Sequence, residues 1–120
     1  MAFMSQDKKK ELAPAIKAVL KKFKMKGTIS VKHHSALVVT IKSGEINFSD
    51  FHDRGYEQVN PYGIDHHYEG VAKEFLLELK DAMMKGNWDK SDSQTDYFNV
   101  GWYIDINIGK FDKPYELLPA

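Results

Sequence analysis

Between Thr95 and Ile108 the sequence TDYFNVGWYIDINI alternates with a period of two. Phe98, Val100, Trp102, Ile104, Ile106 and Ile108 are apolar, and the intervening Tyr97, Asn99, Gly101, Tyr103, Asp105 and Asn107 are polar, aromatic or small. Successive side chains of a strand point to opposite faces, so an alternation this long predicts a half-buried strand. Such a strand needs an apolar cover on its even-numbered face only.

Two stretches can supply it. From about Gln6 to Lys24, Leu12, Ile16, Val19, Leu20 and Phe23 recur at helical spacing, with Gly27 as the expected stop. Pro14 lacks an amide proton, so the helix is expected to start near Leu12 or Ala13, after a looser segment over residues 5–11. From Tyr68 to Met83, Val71, Ala72, Phe75, Leu76, Leu79 and Ala82 repeat the pattern, with Asp65 near the N-terminus and Gly86 as the stop. Between the helices, Thr28–Lys32 and Ala36–Lys42 alternate around a His33-His34-Ser35 turn. After a second turn at Ser43-Gly44, Ile46 and Phe48 suggest a third strand.

The reading is therefore an α+β domain over residues 1–120, ordered α-β-β-β-α-β. A four-stranded, mainly antiparallel sheet carries two amphipathic helices on one face. Residues 1–11 form a looser N-terminal segment, and 110–120 an extended tail in which Pro114 forbids a long strand. The other sheet face is expected to carry Thr28, Ser30, Lys32, Val38, Thr40, Lys42, Tyr97, Tyr103, Asp105 and Asn107.

With 120 residues and 42% apolar content, the chain suits one core. It has no cysteine, which excludes disulfides and thiolate metal sites. No run approaches a membrane span of about 20 apolar residues, and the start of the chain has no signal-peptide core. A soluble, cytoplasmic protein is expected. Net charge is zero but segregated: residues 1–42 hold ten lysines against Asp7 and Glu11, and residues 43–120 hold seven basic against fifteen acidic residues. Either the halves complement each other, or the basic half meets an acidic partner or nucleic acid.

Four constellations bear on function. The open sheet face, with Tyr97, Tyr103 and Asp105 near Lys32 and Lys42, suits a binding patch, together with Arg54 and Tyr56 from the long aromatic and charged loop at 50–66. Lys17, Lys21 and Lys24 on the first helix suit phosphate contacts without sequence reading; sixteen lysines against one arginine argue against a base-specific reader. His52, Asp53, His66 and His67 have metal-ligand chemistry, but adjacent histidines diverge by about 100° on a helix and share a ligand poorly. Asp89–Asp96 looks like a calcium loop but puts Gln94 where glycine is needed and Val100 where glutamate is needed. No cofactor motif is present, and no catalytic set is assigned.

The runs KGTISVKHHSALVVTIKSG, VNPY (59–62), GVAKEFL (70–76) and SDSQTDYFNVGWYIDINIGKFDKPY resemble a family of small uncharacterised proteins of tailed bacteriophages and mobile elements. They are similar, more loosely, to accessory domains of large polyvalent phage proteins. The resemblance implies a phage-type accessory protein in the host bacterial cytoplasm, binding a host protein to blunt a defence system or redirect host machinery. It carries over no functional residue. The expectation is a non-enzymatic binding module for a host protein. The alternatives are a nonspecific nucleic-acid binder using the first helix and a metal-dependent hydrolase. A homodimer through an exposed strand edge is compatible with any of them.

Overall fold

A computed structural model of the chain describes residues 3–46, 48, 56–85, 102–110 and 113–118. Helix α1 (Gln6–Lys22) begins on Ser5, whose hydroxyl accepts the Lys8 amide at 3.0 Å. It runs unbroken through Pro14, which corrects the expected start near Leu12. Pro14 removes the amide bond to the Lys10 carbonyl, but both residues lie on the exposed side, where water can take the freed carbonyl. The cap at Ser5 and the burial of Leu12, Ile16 and Leu20 hold the helix together across that gap. Its end is also earlier than expected. Phe23 caps the helix and Lys24, at φ 58°, turns the chain in the left-handed region.

Strands β1 (Met25–Lys32) and β2 (Ala36–Gly44) then form the expected hairpin. His33 and His34 both have positive φ, near 55°, the backbone twist that a tight hairpin turn requires. Gly27, expected to stop the helix, lies inside β1 where the register shifts. A Cβ there would meet the Thr40 carbonyl oxygen at 2.6 Å, so close approach of two backbones selects the glycine.

The rest of the sheet departs from the expected meander. Ile46 and Phe48 are buried but neither belongs to a strand, and Asn47 and Ser49 of the expected third strand lie outside the described residues. The third strand is β3 (Glu57–Val59), inside the stretch read as a loop and too short to show a period. Next come α2 (Ile64–His67), α3 (Gly70–Met84), β4 (Tyr103–Ile108) and β5 (Glu116–Leu117). The expected second helix is thus two helices, split at the extended Glu69 and at Gly70, whose φ is +61°. Val71, in the first turn of α3, is exposed although its spacing from Ala72 and Phe75 suggested burial. Of the strand expected over 95–108, residues 95–101 lie outside the described residues, as do Gly86 and the connection that follows it.

The sheet is mixed, not mainly antiparallel. Its order is β1-β2-β4-β3, with β5 also on β2. β1 and β3 pair antiparallel to their neighbours, while β4 runs parallel to β2 from Ala36 opposite Tyr103 to Ile41 opposite Ile108. Since β1 occupies one edge of β2 throughout, β5 follows β4 along the other edge, with Ser43 opposite Glu116.

On one face Leu37, Val39 and Ile41 join Ile104, Ile106 and Ile108 beneath Leu12, Ile16, Leu20, Phe75, Leu76 and Leu79 in one core cluster. Each such buried aliphatic or aromatic side chain contributes roughly 1.5–3 kcal/mol. Phe75 meets Phe23 edge-on at 5.3 Å, and Phe48 links Phe75, Tyr68 and Tyr115. Polar ends of the buried aromatics are satisfied. The Trp102 indole donates to the Met83 carbonyl at the end of α3, Tyr68 donates to Glu57, and Tyr115 donates to the Ile46 carbonyl at 2.7 Å. Among the described residues no helix is long and apolar enough to cross a membrane.

Two predictions follow from this packing. Pro14→Ala restores an amide to α1 on its wet side; the helical gain, offset by a looser unfolded chain, should raise stability by about 1–2 kcal/mol in urea denaturation. Burial pushes the Tyr115 phenol up to about 12 from an ordinary value of 10.0. The fold therefore retains a proton that the unfolded chain gives up, so this contribution is complete below pH 10 and lost as pH rises through 12. Tyr115→Phe should cost about 1 kcal/mol at pH 7 and flatten the alkaline fall in stability between those two pH values.

Candidate functional site

The face of the sheet opposite the core carries three cross-strand rows. Lys32, Ala36 and Tyr103 form the first, Ser30, Val38 and Asp105 the second, and Thr28, Thr40, Asn107 and Gln58 the third. Of the residues expected on this face, Thr28, Ser30, Lys32, Val38, Thr40, Tyr103, Asp105 and Asn107 are found in these rows. Along β2 itself, Ala36, Val38 and Thr40 are buried, so the wet residues form two rims on either side of a withdrawn central strip. Lys32 and Tyr103 share a row, two strands or roughly 10 Å apart. Lys42 lies six residues along β2 from Ala36, roughly 20 Å away, and does not flank the same aromatic. Tyr97 and Arg54 lie outside the described residues, and Tyr56 is half-buried ahead of β3.

At the Lys32 end the structure adds a residue that periodicity could not supply. The Met4 amide donates to the His34 carbonyl at 2.7 Å, and the Tyr103 amide donates to the Ser35 carbonyl at 2.9 Å. The chain's N-terminal segment and the start of β4 are thus tied to the same hairpin turn. Phe3 is 63% exposed and Tyr103 50%, and Lys32, His33 and His34 beside them are exposed as well. Phe3 precedes every periodic element, so nothing in the sequence marked it; only the Met4 bond to the turn brings it here.

The lysines of α1 and of the chain just after it differ in their surroundings. Lys22 donates to the Glu78 carboxylate on α3 at 2.8 Å, a bond that raises its pKa above the ordinary lysine value. Lys8 lies 3.5 Å from Glu11 and over the Trp102 ring. Lys17, Lys21, Lys24 and Lys26 instead line a cleft of about 550 Å³ at the helix's C-terminal end, with Leu20 and Met25 as its apolar floor. Lys17 and Lys21 are one helical turn apart, and the left-handed Lys24 returns the chain so that Lys26 closes the group. Only Lys24 approaches a carboxylate, Glu45, at 4.0 Å. Complementation between the two charged halves is therefore limited, among the described residues, to Lys22 with Glu78 and Lys24 with Glu45.

The histidines stand apart. His66 and His67 are exposed on the single turn of α2, His67 lining a small hollow with Glu57, Asn60 and Tyr68. His52 and Asp53 lie outside the described residues, and among the described ones no three His, Asp or Glu side chains are placed to hold a metal ion together. Among the described residues one edge of β1 is unpaired, which bears on self-association. Antiparallel pairing of two copies centred on Ile29 would set Lys26 against Lys32, opposing like charges. Comparison of the chain with protein-family models, curated proteins and solved structures returns no match.

Proposed function

We propose that this chain is a binding module that engages a protein partner through the hairpin-turn end of its sheet. The observation that carries the reading is the pair of exposed aromatics, Phe3 and Tyr103, tied by backbone hydrogen bonds to one turn and flanked by Lys32. Aromatic side chains presented on a fixed backbone lose little entropy on binding and dominate interface energetics, while a neighbouring cation supports orientation. The partner we propose is a bacterial host protein, and the setting a phage or mobile element acting in the host cytoplasm, as the sequence resemblance implies. Asp105, in the adjacent row, favours a protein over a polyanion at this surface.

The test is capture from bacterial lysate with the wild-type chain and with Phe3→Ala, Tyr103→Ala and the double variant. The exposed positions should cost the fold no more than about 0.5 kcal/mol, so melting curves will match. The double variant is expected to lose a protein that the wild type recovers, by tenfold or more. Identical recovery by all four chains rejects this surface.

A second reading has its own support in the cleft of Lys17, Lys21, Lys24 and Lys26, three of which make no ion pair with any described residue. It is sequence-nonspecific nucleic-acid binding through phosphate contacts. Affinity for a DNA duplex should then fall steeply with salt, and Lys17→Glu with Lys21→Glu and Lys24→Glu should abolish it. A salt-independent affinity, or one unchanged by the three reversals, removes this reading.

A further inference from the structure

At the end of the sheet away from Phe3 and Tyr103, a cleft of about 260 Å³ opens between the last residues of β2 and Gly109, Lys110, Lys113, Pro114 and Glu116. Thr40 lies in it. Its neighbours Val39 and Ile41 belong to the core, so strand alternation turns the Thr40 side chain to the opposite face and towards the cleft. Thr40 is 5% exposed, and no buried side-chain nitrogen or oxygen among the described residues lacks a partner, so its hydroxyl is open to the cleft rather than sealed in the fold. An accessible hydroxyl at the floor of a cleft can donate to or accept from a bound group.

The rest of the lining is basic. Lys42, Lys110 and Lys113 surround the cleft, and Glu116 is the acid among its described lining residues. Neither Lys42, Lys110 nor Lys113 makes an ion pair with a described residue. The backbone that carries them is held in place. The Lys110 amide donates to the Lys113 carbonyl at 2.8 Å and the Lys113 amide returns a bond to Lys110 at 3.2 Å. On one side Gly109, at φ +70°, donates to the Ile41 carbonyl; on the other Leu118 donates to that of Gly44. The two anchors bracket Lys42 along β2, so the lysines are brought together before any ligand arrives.

We propose that this cleft binds the phosphate group of a phosphate monoester. The several acceptor oxygens of an anionic phosphate suit three ammonium donors, and the Thr40 hydroxyl supplies a short-range directional bond. The volume lies just under the usual range for organic-ligand pockets, about 300–1,000 Å³, which leaves room for the phosphate and a few further atoms. The phosphate comes either from a small phosphorylated molecule or from the terminus of a nucleic-acid strand. This site is separate from the Phe3 and Tyr103 surface and from the α1 lysine cleft, and it stands or falls independently of both.

The test is an amide NMR titration of the whole chain with inorganic phosphate at constant ionic strength, with chloride as the control. Saturable shifts at Thr40, Lys42, Gly109 and Lys110 are expected with phosphate and not with chloride. Thr40→Val, which keeps the shape and removes the hydroxyl, should weaken binding severalfold, and Lys110→Gln with Lys113→Gln by more than tenfold. Lys17→Gln with Lys21→Gln should leave it unchanged. Binding should weaken below a pH of about 6, where a phosphate ester takes up its second proton while the lysines stay charged. Tighter binding of ribose 5-phosphate than of inorganic phosphate supports the small-molecule source. Tighter binding of a 5′-phosphorylated dinucleotide than of its 5′-hydroxyl form supports the nucleic-acid terminus. Absence of saturable shifts overturns the proposal. So does equal affinity in the wild type, Thr40→Val and Lys110→Gln/Lys113→Gln chains, because that is the behaviour of diffuse lysine attraction.

Discussion

The parallel pairing of β2 with β4 is the contact on which the remaining architecture depends. It sets Leu37 beside Ile104, Val39 beside Ile106 and Ile41 beside Ile108, so that one face of the sheet becomes continuous apolar surface. Parallel neighbours cannot be joined by a tight turn, and the chain between them has to cross over the sheet. The crossover carries α2 and α3, and α3 lays Phe75, Leu76 and Leu79 on that surface beside α1. β3, arriving early in the same crossover, then covers the far edge of β4.

The same pairing explains why surfaces at the two ends of the sheet differ in character. At the Ala36 end β4 is just beginning, and the hairpin turn gathers the N-terminal segment and Tyr103 through hydrogen bonds to adjacent carbonyls. At the Ile41 end β4 stops, the chain loops out through Lys110 and Lys113, and β5 resumes on the same edge of β2. An aromatic corner and a basic cleft thus sit on one strand, separated by the buried outer residues of β2.

Sequence periodicity revealed the elements whose side chains repeat for long enough to be counted. Leu12, Ile16 and Leu20, the Ala72 to Met83 face, and the Ile104, Ile106, Ile108 alternation all lie where their spacing placed them. It failed where tertiary context dominates. Pro14 argued for a late helix start, but an exposed proline in a capped, well-packed helix is tolerated. Ile46 and Phe48 alternate as in a strand, yet neither joins the sheet, whereas Glu57–Val59 is a strand by virtue of its neighbour β4 alone. Strand direction was the larger gap, since alternation along β2 and β4 is the same whether they run parallel or antiparallel. The candidate sites inherit that gap: Lys42 is 68 residues from Lys110 in sequence, and Met4 is 30 from His34, counted from their positions. Only the three-dimensional register makes either pair neighbours.

The parallel pairing also has a consequence in time. Ala36 and its partner Tyr103 are 67 positions apart, 103 less 36, while the β1–β2 hairpin closes through a local turn. Local contacts form early and distant ones late, so the hairpin can assemble while β4 is still unmade. At a synthesis rate of about 5–20 residues per second, the newborn chain then spends several seconds with the ALVVTI edge of β2 unpaired. That edge is apolar and strand-forming, the kind of surface that recruits foreign strands. For this chain the hazardous interval is birth rather than the folded life that follows, and it closes when the crossover delivers β4 to its place.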